Sequence, residues 1–150
     1  MFFGNIIYGQ KNVSVRGNDM NNTLIGKTIL AMKIAQDKKA LLFKTDGGEV
    51  IAKTDGEAGS ISWIEHIELP ALGFPATVTS VDDTYFQEED GGELKIYGCK
   101  VVTNMGIIML DYRNESNGYY GGNLCWPRDD FDGGTRCQNE SDLVWMDIVD

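Results

Sequence analysis

The chain has 150 residues, close to the usual size of one folding domain. Its net charge of −10 argues against a protein that grips nucleic-acid phosphates, which calls for clustered Lys and Arg. Residues 1–75 carry eight basic and eight acidic side chains, so the whole imbalance falls on residues 76–150, with five basic against fifteen acidic.

Eighteen glycines against three prolines suit many tight turns between short strands. No window reaches the roughly 18 consecutive apolar residues of a membrane span. Residues 1–10 mix aromatic and aliphatic side chains and predict a first strand, followed by a polar loop over 11–22. The opening apolar run is broken by Gly4 and Asn5 and has no basic leader, so it does not read as a secretory signal and a cytoplasmic setting is expected. Cys99, Cys125 and Cys137 form an odd set without CxxC spacing, a poor disulfide framework and a poor zinc site.

Residues 28–35 predict a strand with Leu30, Met32 and Ile34 on one face. Residues 39–44 and 49–53 predict the next two, separated by Asp46-Gly47-Gly48. A helix over 27–44 competes on propensity, but the closely spaced glycine turns favour strands. Residues 60–69 fit period two through Ile61, Trp63, Ile67 and Leu69, interrupted by Glu65, and fit a helix turn through Ile61, Ile64 and Ile67. The strand is the preferred reading. Residues 76–81 predict a short strand, and 82–92 an acidic loop that holds Tyr85 and Phe86.

Residues 94–102 and 107–113 are rich in β-branched and aromatic types and flank a short connection. The segment 114–118 ends in Asn-Gly, a hairpin-turn signal, and the chain is expected to return through Tyr119-Tyr120 as the third strand of an antiparallel meander. A second acidic loop follows over 127–140. Residues 141–150 predict a last strand, apolar on both faces and therefore central or covered. The total is a mainly β, single-domain antiparallel sandwich or barrel of about eight short strands, with at most one or two short helices.

Three runs carry a resemblance: Gly26-Lys27-Thr28-Ile29, Phe43-Lys44-Thr45-Asp46-Gly47-Gly48, and Ser116-Asn117-Gly118-Tyr119-Tyr120. Together they resemble a family of small phage and bacterial proteins defined only as a domain of unknown function, over roughly residues 24–125. The N-terminal extension and the tail after Cys125 depart from the pattern. The resemblance implies no activity or catalytic site. It implies a phage or prophage origin, where small non-enzymatic proteins often bind and inhibit a host protein.

Gly26-Lys27-Thr28 ends like a phosphate-binding loop, but residue 21 is Asn where the earlier glycine belongs. Asp130-Phe131-Asp132-Gly133 echoes a calcium loop, yet Ser141 stands where the bidentate Glu is needed. His66 is the lone histidine and has no nucleophile context. No catalytic residue, metal or cofactor is therefore expected.

Two clusters stand out as contacts for a partner. Tyr85 and Phe86 sit beside Glu88, Glu89 and Asp90, and Asn117, Tyr119 and Tyr120 lie at the expected turn. Asp129, Asp130 and Asp132 extend the acidic surface. For the tyrosines around that turn, cross-strand pairing is the plainer reading.

The expected function is a non-enzymatic interaction protein that inhibits a host defence or nucleic-acid-processing protein by docking on its basic surface. Neither direct nucleic-acid contact nor a membrane is expected, and the oligomeric state is left open, a homodimer included. The alternatives are a small-molecule or nucleotide-signal sponge and a metal-dependent hydrolase using the acidic loops.

Overall fold

Alternation of apolar and polar side chains, interrupted at a few points, builds the described residues almost wholly into strands. The computed structural model describes residues 22–127 and 143–148. The expected strand at 1–10, the loop after it, and the acidic stretch with Asp129, Asp130 and Asp132 lie outside the described residues. The strands are β1 (Thr28–Ala35), β2 (Ala40–Thr45), β3 (Gly48–Gly56), β4 (Ile61–Glu68), β5 (Ala76–Glu89), β6 (Leu94–Thr103), β7 (Gly106–Glu115), β8 (Gly122–Cys125) and β9 (Trp145–Asp147). Among the described residues, single 3-10 turns at Glu57–Gly59 and Asp90–Gly92 are the helical pieces.

All the strands pair antiparallel along the path β4-β7-β6-β5-β1-β2-β3-β8, with β9 added to β1. The sheet is open, but it curls until its ends touch. Thr54 Oγ1 of β3 donates to the Ser62 carbonyl of β4 at 3.2 Å, and Ile64 N–H of β4 donates to the Lys38 carbonyl at 2.7 Å. Curling turns one face inward, where Leu41, Phe43 and Val50 meet Ile64, Val101, Ile108 and Leu110 in one cluster. Burying each such side chain contributes about 1.5–3 kcal/mol.

The inward face is not the one strict alternation selects. A bulge between Ile29 and Ala31 shifts the phase of β1, so Ile29, Met32 and Ala35 are buried while Leu30 is half exposed. A second bulge, between Ile64 and His66, places Ser62, Ile64 and Ile67 inside and turns Ile61 outward. One extra residue moves every later side chain to the other face, which is why Glu65 interrupts the pattern.

Three expectations are corrected. The acidic segment 82–92 is no loop: through Glu89 it continues β5, pairing residue by residue with β6. Beyond Val78 no strand among the described residues pairs with its other side, and carboxylates on such an edge block unwanted pairing. Secondly, Tyr119-Tyr120 is not a returning strand. After β7 the Ser116 N–H donates to the Glu93 carbonyl at 3.0 Å, and the chain crosses over to pair β8 with β3. The meander is instead β5-β6-β7, with β4 on its far edge. Thirdly, β9 is not central or covered among the described residues: it lies along the end of β1, with Met146 about half exposed.

Candidate functional site

A bulge in β5 between Asp83 and Tyr85 decides what faces the concave side. Before it Asp83 stands opposite Cys99; after it Phe86 opposes Tyr97 and Glu88 opposes Lys95. Tyr97 in turn opposes Tyr112 on β7. Three rings therefore stand in one cross-strand row. Phe86 and Tyr97 are tilted by 46° with centroids 5.1 Å apart, and Tyr97 and Tyr112 stack within 6° at 5.0 Å. Such ring pairs contribute about 0.5–1.5 kcal/mol beyond their buried area.

Tyr85 goes to the opposite face, opposite Gly98 and next to Asp111. The missing side chain at Gly98 makes room for it: a Cβ there would lie 2.6 Å from a carbon of the Tyr85 ring. Its hydroxyl donates to Asp111 Oδ2 at 3.0 Å, and Asp111 accepts from Arg113 Nε at 2.9 Å. We expect Gly98→Ala to push the ring aside and destabilise the fold by about 1–3 kcal/mol, read as a lower urea midpoint.

Burial first, then the Asp111 carboxylate, pushes the Tyr85 pKa from 10.0 up to about 12. The unfolded chain thus loses this proton at a lower pH than the folded one. The stability contribution is complete below pH 10 and declines as pH rises towards about 12. Tyr85→Phe should flatten this part of the alkaline stability profile relative to wild type, as chemical denaturation across that window will show.

The other wall comes from β8 and the Glu57–Gly59 turn. Gly121 N–H donates to Glu57 Oε1 at 2.9 Å, and Gly122 N–H donates to the Tyr97 hydroxyl at 3.1 Å. Burial raises the Tyr97 pKa, opposed by that hydrogen bond and aided by the Glu57 and Glu88 charges. Lys95 closes one end of the cleft. Its ammonium donates to the carbonyls of Gly92 at 3.0 Å, Tyr120 at 2.9 Å and Gly118 at 3.4 Å, with Glu88 Oε2 at 3.9 Å.

Between these walls is a cleft of about 350 Å³ lined by the row of rings, the carboxylate residues Glu57, Asp83 and Glu88, and the backbone-rich stretch Gly121, Gly122 and Asn123. Lys95 is the cation among the lining residues, so the cleft is net negative. Burial, then Asp83 and Asp82, pushes the Cys99 thiol up, which keeps it protonated and unfit as a nucleophile.

The expected contact residues separate. Tyr85, Phe86 and Glu88 border the cleft, though Tyr85 sends its hydroxyl to the outer face. Glu89 is exposed at the end of β5 and accepts from Gln87 Nε2, while Asp90 takes a positive φ of 55° in the following turn. Asn117 Oδ1 accepts from the Tyr119 N–H, and Tyr119 stands 80% exposed, edge-on to Tyr120. That loop is tied to Lys95, beside the cleft rather than at a hairpin tip. Tyr112 is buried in the ring row, stacked on Tyr97.

Sequence reading missed Glu57, Asp83, Lys95 and Tyr97. Extending the 76–81 strand through the acidic segment would have paired it with β6, but the register that sets Phe86 against Tyr97 and Glu88 against Lys95 depends on the bulge between Asp83 and Tyr85. His66 is exposed, its Nε2 3.9 Å from Glu68 Oε2. Among the described residues no group of His, Cys, Asp and Glu converges to hold a metal ion, and no helix is long and apolar enough to cross a membrane.

A curled, open antiparallel sheet with a concave acidic and aromatic cleft defines a mainly β protein. The chain belongs to the family described as Domain of unknown function (DUF7448), whose profile matches residues 22–126, a span that holds β1 to β8 and the whole cleft. Neither a curated protein nor a solved structure matches the chain.

Proposed function

We propose that this chain acts by binding rather than by chemistry, docking its cleft-bearing acidic side on a basic surface of another protein. The observation that carries this reading is the gathering of Glu57, Asp83 and Glu88 around the Phe86–Tyr97–Tyr112 row. Aromatic rings supply contact area at low entropic cost, and carboxylates supply steering and register toward a basic partner. The resemblance to phage proteins makes a host defence or nucleic-acid-processing protein the target class, inhibited when its basic surface is occluded.

The test is capture of partners from the natural host with the wild-type protein and with a triple variant, Glu88→Lys, Glu89→Lys and Asp90→Lys. A purified partner should bind the wild type more tightly at low salt, and should bind the variant at least about tenfold more weakly with a flatter salt dependence. Equal affinity for both proteins would overturn the electrostatic docking.

A further inference from the structure

Resting on that reading, we infer that the cleft is a receptor for one arginine side chain presented by the partner. The chemistry of its lining selects the ligand. The row of rings, stacked between Tyr97 and Tyr112 and ending in the tilted Phe86, offers aromatic surface against which a planar cation can pack, and the attraction strengthens as water is excluded. Carboxylates stand at different points of the rim: Glu57 on the turn after β3, Asp83 before the bulge of β5 and Glu88 after it. A guanidinium directs five N–H donors in a fixed plane and can meet several acceptors while stacking on a ring. A lysine ammonium is a compact, strongly hydrated point charge and gains less from a flat surface.

The resident cation does not fill this role. Lys95 points its ammonium at the carbonyls of Gly92, Gly118 and Tyr120, so its charge serves the loop, and Glu88 lies 3.9 Å away as a distant neighbour. Anionic ligands are disfavoured by the three carboxylate residues. A neutral apolar ligand would cover these carboxylates while offering them no donor of its own. Glycine sets the width: a Cβ at Gly121 would lie 2.8 Å from the Tyr97 hydroxyl, filling the space beside that ring.

The experiment is amide NMR of the intact chain titrated with N-acetyl-arginine N-methylamide, its lysine counterpart, and its citrulline counterpart, which keeps the shape of arginine without the charge. The arginine probe should shift the amides of Gly98, Gly121, Gly122 and Asn123 in a saturable way. The lysine probe should bind several-fold more weakly and the citrulline probe at least about tenfold more weakly. Glu88→Gln, an exposed isosteric change, should weaken arginine binding while leaving the spectrum otherwise intact.

Shifts scattered over acidic residues of the whole surface, equal response to arginine and lysine, or no saturable shift would each overturn the inference. Should it fall while the triple charge reversal still weakens partner binding, the docking reading stands without an arginine receptor. If both fail, the cleft is not the contact.

Discussion

Lys95→Met lowers the stability of the fold by about 2–4 kcal/mol and frees the loop that follows β7. The side chain at position 95 is 9% exposed, and its ammonium satisfies carbonyls from two separate segments, Gly92 in one and Gly118 and Tyr120 in the other. Methionine matches its length but donates nothing, so those oxygens lose a shared donor in a place where water has poor access. Equilibrium urea unfolding gives the energy, and hydrogen exchange at residues 116–121 gives the location. A change below about 0.5 kcal/mol, within the range of ordinary surface substitutions, would mean that the carbonyls find water instead.

Gly56→Ala is the second large loss, about 2–3 kcal/mol, and its cause is space rather than backbone freedom. Gly56 has an ordinary extended conformation, φ −103° and ψ 133°. A Cβ there would stand 2.8 Å from the carbonyl carbon of Ser60 and closer still to its oxygen, both backbone atoms that cannot swing away. Gly56 also pairs with Gly122 at the end of β3 and immediately precedes Glu57, so the substitution shifts one wall of the cleft.

Gly59→Ala, at φ +82° with open space around it, supplies the contrast. It should cost only about 1 kcal/mol, from the left-handed conformation. Thermal or urea denaturation of the pair separates the two causes, and equal losses would refute the steric argument.

The strands were legible because β-branched and aromatic residues recur between glycine turns, and the pairing of residues 94–102 with 107–113 could be read directly. The facing of the strands was less legible. Register shifts in β1, β4 and β5 each slip the alternation by one residue, so Leu30 and Ile61 read as core and are exposed. No local signal marks a bulge at Asp83–Tyr85, since the extra residue is specified by what β6 and β7 present across it.

Composition misled at residues 82–92, where charge signalled a loop but the ladder with β6 makes a strand through Glu89. Asn117-Gly118 signalled a hairpin for a similar reason. The turn chemistry is present, with Gly118 at φ +99°, but Lys95, 23 residues before Gly118 in the chain, claims the carbonyls of Gly118 and Tyr120. The candidate site was half visible, in Phe86 and Glu88. Its remainder depends on β8 crossing to β3, a contact between distant parts of the chain.

Hydrogen exchange of the protein alone and in complex with its captured partner tests the central claim most directly. Docking on the cleft slows exchange at Gly121, Gly122 and Asn123 and at the facing end of β6 from Lys95 to Gly98, while β9 and the turn between β1 and β2 are unchanged. Protection confined to those latter segments, with the cleft amides exchanging as in the free protein, would contradict it.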